Sequence, residues 1–534
     1  MAQAPRTAAP SAPPAAPSAA PAVPSPPPAA PAPLSATRPL ALRAVVFTVG
    51  ASSLGAEIAA ARLLAPYFGA STIIWANTIA TVLIALSAGY ALGGRIADRR
   101  GDMRGLCMIV LAAAVLLAIV PFVSGPFLRL SVQALGSLSV GAFLGSLVGV
   151  LVLVAVPVAL LGTVAPYANR LMVDSLADTG RTTGGLYALS TVGSLVGTFL
   201  AALLLIPLIG THRTFIVFAL ALALVAVPGI GLRRLVIVPL AVAACLAIPP
   251  AAIGSDVAGG RVIADTETQY QYARVVQFGD GTRWLQLNEG VAIHSLYRPG
   301  SFLTGGYWDD PLVLPGAGGA PPPRRITILG DAAGTIARAY GHYYPSTRVD
   351  AVELDGALTA IGRRLFDLGG ARLHTYTADA RPWLAASHAR YDAIVLDAYR
   401  QPYVPFYLLT REFFALARRH LTPQGVLIIN VGHLPGSDAL ERVVSATLRA
   451  AFPVVARDQF SPDNSLVLAG TRPLSGQLLS SARSRIPAGL RALSAQVAAR
   501  TGPALGGGSV YTDDTAPVEW LTDLSIIRYA AGTR

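Results

Sequence analysis

The stretch Ile326-Thr327-Ile328-Leu329-Gly330-Asp331-Ala332-Ala333-Gly334 decides the reading of this chain, together with Val349-Asp350-Ala351-Val352-Glu353-Leu354-Asp355 after it. An apolar run ends on small residues and leads into a helical pattern. A second apolar run ends on acids. The order predicts strand, tight turn, helix, strand. Small residues at 330–334 let the backbone approach a ligand closely, and the following helix offers it unpaired N–H groups. Glu353 stands about 20 residues past the turn, where an acid can take both hydroxyls of a ribose. Two more expected strand ends are Tyr376-Thr377-Ala378-Asp379-Ala380 and Tyr391-Asp392-Ala393-Ile394-Val395-Leu396-Asp397. Open α/β sheets bind ligands at the carboxyl ends of strands. Singly these features are weak: the turn departs from G-x-G-x-x-G, and acids at strand ends also cap helices. Four successive strand ends carrying Gly/Asp, Glu, Asp and Asp are far more specific. They suit a nucleoside bearing a ribose, an adenine and a cationic sulfur.

Outward from this stretch the composition changes. The chain has 534 residues, enough for two or three domains. It is 53% hydrophobic and 13% charged, with a mean hydropathy of +0.54. Soluble proteins carry about 25% charged residues, so the shortage points to a membrane protein. The net charge of +12 comes mostly from arginine without a dense basic tract. It fits membrane orientation rather than nucleic-acid binding. The two cysteines, Cys107 and Cys245, sit in apolar runs and build neither a disulfide framework nor a zinc site.

Residues 1–40 are almost all Ala, Pro and Ser and are expected to be disordered. Residues 41–253 are expected to form a transmembrane helical domain. Its apolar runs lie near 42–61, 73–93, 106–125, 141–165, 186–209, 214–232 and 235–253. Gly193-Ser194-Leu195-Val196-Gly197 is a small-xxx-small pattern that lets helices pack closely. Glu57, inside the first run, is either a functional intramembrane acid or a helix-end residue neutralised by Arg62. The basic stretch Arg95 to Arg104, then Arg170, Arg181 and Arg233-Arg234, should face the cytoplasm. Seven crossings would then put the C-terminal domain outside. The last run, with Pro239 inside it, is the weakest, and a cytoplasmic C-terminal domain is expected on the strength of the chemistry. Residues 262–315 read as a small β-domain with a hairpin around Gly279-Asp280-Gly281, and 316–323 as a linker. Residues 324–525 alternate strands and helices, implying a largely parallel sheet covered on both faces.

The ordered acids resemble those of the polyamine aminopropyltransferases (spermidine synthases), which share the class I S-adenosylmethionine methyltransferase fold. More narrowly, the chain resembles bacterial membrane proteins in which a hydrophobic domain is fused to a spermidine synthase-like domain. The resemblance spans about 42 to 525. It implies a multi-pass inner-membrane protein whose α/β domain transfers an aminopropyl group from decarboxylated S-adenosylmethionine to an amine. Asp397 matches the catalytic base and Glu353 the ribose-binding acid. Asp379 and Ala380 match the segment contacting adenine, and Gln271 a β-domain glutamine contacting the nucleoside. Gly330, Asp331 and Gly334 match the glycine-rich turn, and Tyr307 the tyrosine lining the polyamine site, with Trp308 beside it. Tyr399 and Tyr403 belong to an aromatic segment suited to holding an amine by cation–π contact.

Three residues depart from the family pattern. Trp308 replaces a histidine, Ala332 stands where an amine-binding aspartate is expected, and Arg400 stands where a second aspartate is expected. A cation there repels a protonated amine by about 4 kcal/mol at about 4 Å and an effective dielectric of about 20. No prosthetic group is implied. The implied partners are a putrescine-like amine, a nucleoside and the lipid bilayer, without nucleic acid, and a homodimer is allowed for. Two other readings stay open: an S-adenosylmethionine-dependent methyltransferase, and a membrane transporter with a nucleoside-sensing domain.

Overall fold

The computed structural model describes residues 37–68, 72–99, 101–135, 141–172, 179–231, 233–249, 257–288, 292–399, 403–433 and 436–530. The expected disordered segment falls almost wholly outside them, as do Arg400, Gln401 and Pro402.

Long apolar stretches without buried charge form helices first. They are α1 (Thr37–Phe68), α2 (Thr72–Arg99), α3 (Met103–Leu135), α4 (Gly141–Val150), α5 (Val156–Gly162), α6 (Val164–Met172), α7 (Thr179–Phe199), α8 (Ile206–Ile230) and α9 (Ile237–Cys245). Five helical stretches are long and apolar enough to cross a membrane, and the last runs from Thr179 to Ile230. That stretch holds two of the expected runs, because Gly210 breaks it with φ 82° and ψ 166°. α1 and α7 pack in parallel at very short range. A Cβ on Gly193 or Gly197 would strike the carbonyl oxygens of Phe47 and Ala51, so the small-residue pattern is a close helix crossing.

The direction of these helices fixes which ends share a side. Arg95 and Arg99 end α2, Arg104 opens α3, Arg170 ends α6 beside Asp98 at 3.8 Å, and Arg181 opens α7. A Cβ on Gly229 would meet Cys107, bringing the end of α8 and nearby Arg233 to the same side. The other end carries Arg62, Arg129 and Arg213, and there α1 and α8 meet the C-terminal domain. Arg62 Nη2 donates to Thr268 O at 2.7 Å, Thr211 N donates to Glu267 Oε2 at 2.7 Å, and Arg213 Nε donates to Leu246 O at 3.3 Å. The domain therefore docks on the end opposite the larger set of arginines. The weak last run forms only the nine-residue α9, which is not among the five stretches long and apolar enough to cross a membrane.

The β-domain is a four-stranded antiparallel sheet in the order β1 (Gly260–Glu267), β2 (Tyr272–Phe278), β3 (Arg283–Leu287), β4 (Ile293–Tyr297). The hairpin is β2–β3, with Gly281 at φ 82° in its turn. The expected linker is different. Leu314–Gly318 is a 3-10 turn with Leu314, Pro315 and Ala317 buried, because Leu314 and Ala317 join the apolar core under the large sheet.

The second sheet comprises β5 (Arg325–Leu329), β6 (Arg348–Glu353), β7 (Leu373–Thr377), β8 (Tyr391–Leu396), β9 (Leu421–Gly432), β10 (Val454–Ser461), β11 (Asn464–Gly470) and β12 (Thr501–Pro503). Their order is β12-β10-β11-β9-β8-β5-β6-β7, with β5 to β9 parallel and β11 antiparallel to β9. This is the class I methyltransferase-like order. α10 (Thr335–Tyr343), α11 (Gly356–Leu365), α12 (Ala380–Ala386), α13 (Arg411–Arg419), α14 (Ala439–Ala451), α15 (Gly476–Ser481) and α16 (Arg491–Arg500) cover it, and α17 (Val518–Ala530) closes the chain. Apolar side chains point both ways from each central strand. Leu329, Leu396 and Phe413 fill one face and Ile328, Tyr340 and Val497 the other. The direction of strand addition reverses between β5 and β8, which opens a crevice at their carboxyl ends.

Candidate active site

At that crevice, Leu329 of β5 pairs with Leu396 of β8, so Gly330 and Asp397 leave the sheet side by side. Asp397 N donates to Leu329 O at 2.9 Å. Gly330 has φ 89°, and a Cβ there would lie 2.5 Å from Ala398 Cα. Only glycine fits this junction. Ala332 also takes a left-handed φ of 47°, which turns its N–H toward Glu353 Oε2 at 2.9 Å. Glu353 Oε1 accepts from Asp355 N at 2.9 Å. The acid at the end of β6 is thus held by two main-chain donors. Asp355 and Asp379 cap α11 and α12, accepting from Ala357 N at 3.1 Å and Arg381 N at 3.0 Å. Tyr407 Oη donates to Asp379 Oδ2 at 2.7 Å.

Asp397 is held differently. Asn430 Nδ2 donates to its Oδ1 at 2.7 Å, and Tyr307 Oη lies 3.3 and 3.2 Å from its two oxygens. Asn464 Nδ2 donates to Asn430 Oδ1 at 2.9 Å. Tyr399 Oη donates to Asn430 O at 3.0 Å and accepts from Gly432 N at 2.7 Å. Tyr307 itself sits on a pinned turn. Asp309 accepts from Thr304 N and Gly305 N, and Asp310 accepts from Arg500 Nη2 at 2.6 Å.

Tyr307, Glu353, Asp379, Asp397, Tyr399 and Asn430 line one cavity of about 460 Å³. Its described lining carries six carboxylates, Asp331, Glu353, Asp355, Asp379, Asp397 and Glu519, and no lysine or arginine. Burial raises the pKa of Asp397 to about 7; the hydrogen bonds from Asn430 and Tyr307 oppose the rise and the charge of Glu353 adds to it. Burial, then the Glu353 charge, lifts Asp331 well above the ordinary carboxylate range. Glu353 is raised by burial against the pull of its N–H donors. Burial lowers His294, on the same wall, to about 4, leaving a neutral imidazole. A cation entering this cavity relieves the mutual repulsion of its acids.

No family model matches the chain. A protein of Bifidobacterium longum, named a probable polyamine aminopropyl transferase, is 35% identical over 187 residues, 35% of this chain and 41% of that protein. A polyamine aminopropyltransferase of Mycobacterium tuberculosis is 27% identical over 453 residues, 77% of this chain and 81% of that one. The chain is spermidine synthase-like. Its match to the Bifidobacterium protein spans about two-fifths of that relative's length. Among solved structures, a probable spermidine synthase from Corynebacterium glutamicum aligns over 48% of this chain and 98% of its own, at 20% identity with a TM-score of 0.35.

In this spermidine synthase-like chain, Gln271, Tyr307, Trp308, Gly330, Asp331, Glu353, Asp379, Ala380, Asp397, Tyr399 and Tyr403 all line the cavity. Gly334 does not. It opens α10 with φ 89°, and a Cβ there would strike Leu368, so it shapes the turn rather than the wall. Trp308 is 93% buried and shares the core beneath the cavity. Ala332 lies in the wall, and Arg400 falls outside the described residues. In the acidic C-terminal turn, Asp513 pairs with Arg381 at 2.6 Å and accepts from Thr410, while Glu519 reaches the cavity. Sequence reasoning missed His294, Asp355, Asn430 and Asn464. The signal for Asn430 was a lone amide near the end of the apolar run Val426 to Val431.

Proposed function

We propose that the cavity transfers an aminopropyl group from decarboxylated S-adenosylmethionine to an amine. The observation that carries this reading is Asp397, a carboxylate with a pKa near 7 held by Asn430 and Tyr307 in a cavity lined with acids. A general base works best with a pKa near the operating pH. Glu353, already oriented by two N–H donors, takes the ribose hydroxyls, with Gln271, Asp379 and Ala380 around the nucleoside. The amine nitrogen attacks the propyl carbon next to sulfur and forms a C–N bond. The C–S bond breaks and its electron pair returns to sulfur, turning the sulfonium into neutral methylthioadenosine. The proton displaced from nitrogen passes to Asp397. Tyr307, Tyr399 and Tyr403 offer aromatic faces to the amine. The acid lining favours the decarboxylated nucleoside over S-adenosylmethionine, whose carboxylate would meet like charge. The names of the relatives support the same reaction class.

The test is methylthioadenosine release by the full chain given decarboxylated S-adenosylmethionine and a panel of di- and polyamines. Release with at least one amine is expected; none with any amine overturns the reading. The positive-inside rule further supports placing this domain away from the cytoplasm. A Ser480→Cys variant in intact cells should then react with a membrane-impermeant maleimide, and labelling only after lysis contradicts the placement.

A further inference from the structure

Two consecutive residues at the edge of the β-domain face opposite ways. Glu267 ends β1 and points into the bundle. Gly210 interrupts the helix there with non-helical φ and ψ, so a new helical stretch starts at Thr211. Thr211 N donates to Glu267 Oε2 at 2.7 Å, and Thr211 Oγ1 donates to Glu267 Oε1. Arg62 of α1 lies 3.7 Å from the same carboxylate. It also donates to Thr268 O at 2.7 Å. A carboxylate is favoured at such a helix start by the aligned peptide dipoles.

Thr268 points the other way. Its Oγ1 donates to Asp355 Oδ2 at 2.6 Å and accepts from Tyr270 N and Gln271 N at 3.0 Å each. Asp355 N in turn holds Glu353 Oε1, and Gln271 lines the cavity. Thr268 and Asp355 are 94% and 97% buried, so water does not loosen the path. The bonds run without a gap from α1 and α8 to the acid proposed to take the ribose.

We infer that Glu267 and Thr268 form a latch through which the membrane bundle sets the nucleoside half of the cavity. Arg62, Thr211 and Glu267 are positioning residues, acting through Thr268 on Asp355, Gln271 and Glu353. This inference rests on the proposed nucleoside reading. Linkage makes it reciprocal: if the bundle tunes nucleoside affinity, nucleoside binding must tighten the latch equally.

The experiment uses the full chain in lipid nanodiscs, wild type and Glu267→Ala, with methylthioadenosine as the probe. Calorimetry should show binding weakened about five-fold or more in the variant. Transfer assays should show KM for the nucleoside raised and kcat kept. In the wild type, saturating methylthioadenosine should slow hydrogen exchange at the amides of residues 211–213, and in Glu267→Ala it should not. A variant that merely loosened the interface would not remove this ligand response. Should Glu267→Ala fail to fold, Glu267→Gln keeps the shape and loses the charge; binding equal to wild type overturns the inference. So does a wild-type exchange pattern at 211–213 that ignores the nucleoside. A wild type that binds no methylthioadenosine overturns the proposed function and this inference together, whereas equal binding by wild type and variant overturns this inference alone.

Discussion

The two halves of the cavity are built by different means. Around Glu353 the work is done by main-chain N–H groups of Ala332 and Asp355 and by the caps of α11 and α12. Around Asp397 it is done by side chains from three separate elements: Asn430 on β9, Tyr307 on the pinned turn and Tyr399 after β8. Main-chain geometry follows from the strand–turn–helix pattern itself, so the first half is inherited with the fold. The second half depends on individual side chains and can be retuned one residue at a time. Of the departures from the family pattern, Ala332 lies on the Glu353 side, where its N–H holds the acid, and Trp308 packs in the core beneath the cavity.

Substitutions should separate the halves. Asp397→Asn should lower kcat by about 10²-fold or more while methylthioadenosine binding stays within a few-fold; loss of binding as well would move Asp397 from the chemistry to the pocket. Glu353→Gln should do the reverse, weakening nucleoside binding by about ten-fold or more, as charged hydrogen bonds are worth about 1.5–3 kcal/mol, with kcat at saturation largely kept. Asn430→Ala should change the pH profile. The base must be deprotonated to accept a proton, so kcat/KM should fall as pH drops below about 7 in the wild type. Removing the Asn430 hydrogen bond removes an influence that lowers the Asp397 pKa, so the acid limb should move to higher pH. Tyr307→Phe should move it the same way by less, since its two contacts, at 3.3 and 3.2 Å, are longer than the 2.7 Å bond from Asn430. A shift to lower pH in either variant would mean these groups do not support the ionised form.

The sequence showed what repeats along the chain and hid what depends on folding back. The alternation of strands and helices from Arg325 to Gly470 made the parallel sheet legible, and the acids at strand ends located the crevice. β10 and β12 were missed: Val454–Ser461 carries Arg457 and Asp458 within it, and β12 has only three residues. Residues 316–323 read as a linker because Gly and Pro dominate them, yet Ala317 is buried. Its burial comes from contacts with a segment far along the chain, where Leu479 and Ile486 join the same core. Asn430 is marked locally only as an amide in an apolar run, which does not reveal its partner Asp397, 33 residues away. The arginines at the ends of α2, α6 and α7 lie at the end of the bundle opposite the one where Glu267 and Thr268 dock.

The central claim is that this acid-lined cavity is built for a cationic, decarboxylated nucleoside. Calorimetric binding of decarboxylated S-adenosylmethionine and of S-adenosylmethionine to the full chain tests it most directly. The account predicts at least about ten-fold tighter binding of the decarboxylated form, about 1.4 kcal/mol. Equal binding, or preference for the carboxylated nucleoside, would contradict it and make methyl transfer the better reading of the same fold.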